Sequence, residues 1–202
     1  RSGKAYVPLD PRRGAEWNRE FIRRTCCSMV LCDGENADFT SCLGIPTEKV
    51  EISPSVPNGT DRVVSVMPDD TACIYATSGS TGPPKAVCDT HRNLLHNAAR
   101  YATTLGITAD DRLSLIQAPI FSGTQSTIFS GFTRGAALCC LDVSNGELDA
   151  LPAWVKQSKI TVFHSVPSVF RTLDRYGMSY DDIRIVRLEG DQPTDRDVQV
   201  FR

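Results

Sequence analysis

Cys73-Ile74-Tyr75-Ala76-Thr77-Ser78-Gly79-Ser80-Thr81-Gly82-Pro83-Pro84-Lys85 is the stretch on which the reading of this chain turns. A short apolar run, Ala72 to Ala76, has the character of a strand and meets six residues drawn only from Thr, Ser and Gly. Two prolines and a lysine follow, and a helical pattern begins near His91. Glycines and small side chains let backbone N–H groups converge on an anion without a Cβ in the way. The hydroxyls of Thr77, Ser78, Ser80 and Thr81 add donors, Gly79 and Gly82 permit close approach, and Lys85 supplies a point charge for phosphate oxygens. A Ser/Thr/Gly run alone is ordinarily a surface turn or linker. The order strand, small-residue loop, lysine, helix marks this one as a phosphate-binding loop. It is not the loop of the P-loop NTPases, in which lysine directly follows glycine.

The bulk numbers set the frame. The chain has 202 residues, 41% of them hydrophobic, enough for one large domain or two lobes with cores of their own. A net charge of −2, from 22 basic and 24 acidic residues mixed along the chain, gives no electrostatic footprint for nucleic acid or an anionic membrane. No apolar run approaches the roughly 18–20 residues of a membrane span, and no signal peptide is visible. The eight cysteines include two adjacent pairs but no CxxC or Cys/His spacing, which argues against zinc. Several lie in apolar strand-like runs, where free cysteine acts as a small buried hydrophobe. A reduced, cytoplasmic setting is expected.

Along the chain, residues 3–11 read as an extended segment ending in a proline turn, 14–25 as an amphipathic helix and 28–32 as a short buried strand. Residues 34–48 are polar and irregular, and Val50–Ser53 reads as another strand. Helices are expected at 92–105, closed by Gly106, and at 124–132, 148–157, 168–175 and 194–202. Strands are expected at 112–119, 136–141 (buried), 160–164 and 183–188. Strands alternating with crossover helices predict an α/β fold of mostly parallel sheets with helices on both faces. Two lobes are expected, 1–112 carrying the phosphate loop at 77–85 and 113–202 truncated at its C-terminus.

The loop resembles the signature of the adenylate-forming, or AMP-binding, enzymes: peptide-synthetase adenylation domains, acyl- and aryl-CoA ligases and luciferases. Their pattern, an aromatic residue, T-S-G-(S/T)-T-G, x-P-K-G and a helix opening near a histidine, is matched through Lys85 and again at His91. It is broken at Ala86, where the family nearly always has glycine. Residues 3–11 add to the likeness, since adenylation domains carry G-G-A-Y-V-P-(I/L)-D-P. Eight of nine positions agree, Lys4 standing for the second glycine, and this segment leans toward a nonribosomal peptide synthetase.

The resemblance implies an acid-substrate pocket in the second half. The family's F-D-x-S segment corresponds to Phe121-Ser122-Gly123-Thr124, so Ser122 stands where an aspartate holds the α-ammonium of an amino acid. A hydroxyl cannot offset a buried ammonium, which disfavours ordinary α-amino acids. In the same register Ser126, His164, Glu189 and Gly190 fall at pocket-lining positions. His164 closes a strand-like run, at the carboxyl end where open α/β sheets bind ligands. Glu189 is a solvated turn residue or a negative charge facing the acid. Leu188-Glu189-Gly190-Asp191 stands for the family's G-G-E turn.

The family's adenine-stacking and magnesium-binding segment, its ribose-binding aspartate and its catalytic lysine would fall beyond Arg202. No catalytic residue and no metal ligand is therefore assigned within the chain. The implied parent is an ATP-dependent acid–thiol ligase using ATP and Mg2+. Its expected partners are a carboxylic-acid substrate, a carrier-protein thiol or CoA, and the rest of its own polypeptide, with neither nucleic acid nor membrane. The fragment alone is expected to be inactive. Two alternatives stand beside this: a degenerate nucleotide-binding or interaction module without catalysis, and an unrelated α/β module that converged on the loop.

Overall fold

The computed structural model describes residues 3–51, 64–77, 84–143, 147–177 and 179–201. Packing groups them into two compact units, residues 1–93 with 119–122 and residues 94–118 with 123–202. The lobes expected from sequence are 1–112 and 113–202.

In the first unit, Asp10 opens a 3₁₀ turn at Pro11–Arg13, its carboxylate accepting from the Arg12 N–H at 3.1 Å. Helix α1 (Gly14–Thr25) follows and buries Asn18, Phe21 and Ile22, which share one helix face by their spacing. Buried Asn18 ties the turn down, donating to the carbonyls of Asp10 (2.8 Å) and Gly14 (2.7 Å). Strand β1 (Val30–Cys32) pairs in parallel with β2 (Thr47–Lys49), and α2 (Ala37–Ser41) connects them. Ile22, Val30 and Leu43 form the local core. Of the strand expected at Val50–Ser53, residues 50 and 51 are in no strand and residues 52 and 53 lie outside the described residues. Pairing with β1 selects Thr47–Lys49 despite weak strand propensity, and Val50 is exposed.

Strand β3 (Thr71–Thr77) is the expected apolar run, bridged by Tyr6 from the N-terminal segment. Its partner is unexpected. Strand β4 (Lys85–Thr90) runs antiparallel to it, with Thr77 opposite Lys85. No residue of β4 is fully buried, so it lacks the apolar alternation by which a strand is recognised.

The second unit is built on one four-stranded parallel sheet of order β6-β5-β7-β8, formed by Arg112–Leu115 (β5), Ala137–Cys140 (β6), Val162–Ser165 (β7) and Ile185–Leu188 (β8). Side chains alternate between its faces. Leu113, Leu138, Val162 and Ile185 meet Tyr101 and Ala102 of α3 (His91–Thr104), most of which lies in this unit. Phe163, Cys139 and Val186 turn the other way and pack with Leu151 and Val155 of α5 (Leu151–Gln157) and Phe170 and Leu173 of α6 (Pro167–Arg175). Helices α4 (Ser122–Arg134) and α7 (Asp195–Val200) complete the set. This is the expected α/β architecture.

Gly106, at φ +56°, ends α3 in a left-handed turn, with Ile107 N–H reaching the Ala102 carbonyl at 2.8 Å. Strand β6, expected to be buried, is instead a half-buried edge. The cysteines also differ from expectation. All eight are free, yet Cys73 alone is buried, and Cys26, Cys42, Cys88 and Cys140 are exposed. Among the described residues no helix is long and apolar enough to cross a membrane.

Candidate functional site

In the first unit the β3–β4 pairing places Thr77 and Lys85, both exposed, directly across from each other at the end of the hairpin. Ser78, Gly79, Ser80, Thr81 and Gly82 lie outside the described residues. Phe121 is half-buried with the Arg13 guanidinium 5.9 Å from its ring centroid, and Ser122 is exposed as the first residue of α4.

In the second unit a polar cluster forms at the carboxyl ends of the parallel strands. His164, on central strand β7, is 2% exposed. Its backbone N–H donates to Ser114 Oγ of β5 at 2.8 Å, which fixes the histidine against its neighbour strand. The ring is held from both sides: Nδ1 lies 2.9 Å from Thr127 Oγ1, and Nε2 lies 3.2 Å from Gln117 Nε2 and 3.3 Å from Glu189 Oε2. Thr127 stands one turn past Gly123 on α4, and its hydroxyl also reaches the Gly123 carbonyl at 3.3 Å. Gly123 lies close against the cluster: a Cβ there would come within 3.0 Å of Gln117 Oε1 and 3.3 Å of Glu189 Oε2, side-chain ends that would have to give way.

Glu189 is not a lone charge. Arg187 sets Nη2 2.5 Å from Glu189 Oε2, and its guanidinium carbon stacks 4.3 Å from the centre of the Tyr101 ring. Gly190, at φ +94°, turns the chain just after Glu189. Of the residues assigned from sequence, Gly123, His164 and Glu189 therefore meet at one point. Gly190 adjoins them in sequence, and buried Ser126 lies on the same helix as Gly123. Tyr101, Gln117, Thr127 and Arg187 were not among the assigned residues. Arg187 carried a readable signal, because it lies on β8 two residues before Glu189, which follows the strand's end, and residues two apart in extended chain share a face.

Burial pushes the His164 pKa down, outweighing the pull of Glu189 toward the charged form. The His164 ring close to its carboxylate, helped by the Arg187 guanidinium and opposed by burial, holds Glu189 below the usual carboxylate range. Burial raises the Tyr101 phenol. The histidine's shift has a sign. An imidazole whose pKa falls on folding contributes stability that is full above its unfolded value near 6.5 and is lost as pH falls through the lowered folded value. The urea midpoint of the wild type should therefore drop more between about pH 7.5 and 5.5 than that of His164→Gln. Parallel pH profiles would show that His164 titrates as it does in water.

A family model described as AMP-binding enzyme matches residues 1–199. The chain is 32% identical over 174 residues to nonribosomal peptide synthetase sidE of Aspergillus fumigatus, a match covering 86% of this chain and 8% of sidE. It is 28% identical over 177 residues to syringomycin synthase SyrB1 of Pseudomonas syringae pv. syringae, covering 86% of this chain and 29% of that protein. Its fold matches the Vibrio cholerae adenylation domain AlmE, solved with glycyl-adenosine-5′-phosphate, at TM-score 0.80 and 20% identity, over 98% of this chain and 43% of AlmE. The chain thus spans a small part of the curated relatives it matches. With a family match running almost end to end over this parallel-sheet scaffold, the chain belongs to the AMP-binding enzyme family, whose members are adenylating ligases.

Proposed function

We propose that this chain is the phosphate- and acid-binding portion of a carboxylic-acid adenylating ligase. In that reaction a carboxylate oxygen attacks the α-phosphorus of ATP, giving an acyl-adenylate and pyrophosphate, and the acyl group then passes to the thiol of a carrier protein or CoA. Negative charge builds on phosphate oxygens during the first step, and donors already in place stabilise it most effectively. Thr77, Ser78, Gly79, Ser80, Thr81, Gly82 and Lys85 fill that role on the β- and γ-phosphates. Phe121, Ser122, Gly123, Ser126, His164, Glu189 and Gly190 border the acid. Magnesium is assigned no ligands in this chain.

The observation that carries this reading is the cross-strand pairing of Thr77 with Lys85, at the two ends of a Ser/Thr/Gly loop, in a chain of the AMP-binding family. Acid-dependent ATP–pyrophosphate exchange by the full-length protein tests it. Exchange is expected with acids lacking an α-amine and not with simple α-amino acids, which Ser122 cannot grip. ATP binding without exchange on any acid would overturn the ligase reading in favour of a nucleotide-binding module. The 202-residue chain alone should show no exchange. Turnover by it would mean that the catalytic groups lie elsewhere than assigned.

A further inference from the structure

The charge count around His164 restricts what the acid site proposed above can hold. By itself Glu189 would select a distal ammonium, but Arg187 Nη2 lies 2.5 Å from its Oε2. His164 is driven toward its neutral form by burial and the Tyr101 phenol stays protonated, so neither adds a charge. One positive and one negative group cancel. A distal ammonium or carboxylate entering here would leave water and meet no net counter-charge, which is costly.

Hydrogen bonding in the same cluster is incomplete. Tyr101 Oη, Arg187 Nη1 and Glu189 Oε2 are buried without an aligned hydrogen-bond partner, three of five such side-chain atoms among the described residues. The contacts of Glu189 Oε2 with Arg187 and His164 are close in distance but not aimed as hydrogen bonds. Buried polar atoms are normally satisfied. Opened to a ligand, this cluster offers a donor (Arg187), an acceptor (Glu189) and a phenol able to act as either. A group that accepts from Arg187 Nη1 and donates to Glu189 Oε2 completes it, and an alkyl chain does not.

Resting on the acid-ligase reading above, we propose that the substrate is a carboxylic acid bearing an uncharged hydrogen-bonding group, a hydroxyl or a carboxamide, recognised jointly by Arg187 and Glu189. Arg187 is then a specificity-determining residue as much as Glu189.

The test is a panel of acids of similar length ending in hydroxyl, carboxamide, methyl, carboxylate or ammonium, run in ATP–pyrophosphate exchange on the full-length protein. The hydroxyl- or carboxamide-bearing acid should lead the methyl, carboxylate and ammonium acids by at least about tenfold in kcat/KM. Glu189→Gln leaves Arg187 unopposed and should move the preference toward the dicarboxylic acid. Arg187→Gln should move it toward the amino acid, and the double variant should return it to the neutral acids. Each single variant leaves a partly buried charge unpaired and loses stability. The wild-type ranking, read also as the rise in Tm that each acid produces, is therefore the second measurement. A wild-type preference for the charged or methyl acids, or charge variants that leave the ranking unmoved, overturns this inference alone. Exchange with none of the acids, and no rise in Tm with any, overturns the ligase reading and this inference with it.

Discussion

Asp111→Ala should lower stability by about 3 kcal/mol, seen as a reduced urea midpoint at unchanged slope. Asp111 is 4% exposed and sits just before β5. Its Oδ1 accepts from Thr161 Oγ1 at 2.7 Å and Arg184 Nε at 2.8 Å, and its Oδ2 from Arg184 Nη2 at 2.6 Å and the Thr108 N–H at 2.8 Å. One carboxylate thus joins the segments entering β5, β7 and β8, at the opposite end of the sheet from His164. Hydrogen bonds to charged groups contribute about 1.5–3 kcal/mol each. Arg184 is partly exposed and recovers water when its partner is lost, which keeps the total below their sum. The Arg184 contacts are the main cause holding the Asp111 carboxyl well below the usual carboxylate range. A depressed carboxylate contributes stability that is full above its unfolded pKa, near 4, and is lost as pH falls through the folded value. Wild type and variant should therefore converge on acidification below about pH 4. A gap that stays constant into acid would show that Asp111 acts through packing and not charge.

Lys85→Ala in the full-length protein should slow adenylation roughly thirty- to a thousandfold, about 2–4 kcal/mol of lost transition-state stabilisation, with little change in Tm. Lys85 is exposed at the first position of β4, so no core packing depends on its side chain. Its backbone pairing with Thr77 survives the substitution. Exchange at the wild-type rate would reduce the Ser/Thr/Gly loop to a turn. A large fall in Tm would mean that the lysine holds structure and not phosphate.

Much of this architecture could be read from residues, and the failures have physical causes. Helix α3 announces itself through Leu94, Ala98, Tyr101 and Ala102 on one face and a glycine at its end. The parallel strands β7 and β8 are short segments between helical patterns, each opening on an apolar pair, Val162-Phe163 and Ile185-Val186, as suits strands covered on both sides. Strand β4 and β2 escaped because pairing, not side-chain pattern, makes them strands. At the candidate site, Gly123, His164 and Glu189 were found by register against a family pattern. Thr127 and Gln117 are ordinary polar residues whose role exists only once β5, β7 and α4 bring them to one imidazole. The partnership of Arg187 with Glu189 turns an expected negative charge into a neutral pair, and only coordinates reveal the distance that does so.

The antiparallel ladder that runs from Thr77–Lys85 to Thr71–Thr90 also restricts how this segment can change by mutation. Side chains along a strand switch faces at every residue, so pairing has a parity. Deleting or inserting a single residue between Thr77 and Lys85 while the ladder slides to compensate would send Lys85, Val87 and Asp89 to the face now held by Ala86, Cys88 and Thr90. Substitutions in the connection leave that parity intact, and so do changes of two residues. A length change passed from this loop into the ladder must therefore come in an even step or bring a bulge that absorbs the odd residue, as the register shift between Thr71 and Cys73 already does at the far end.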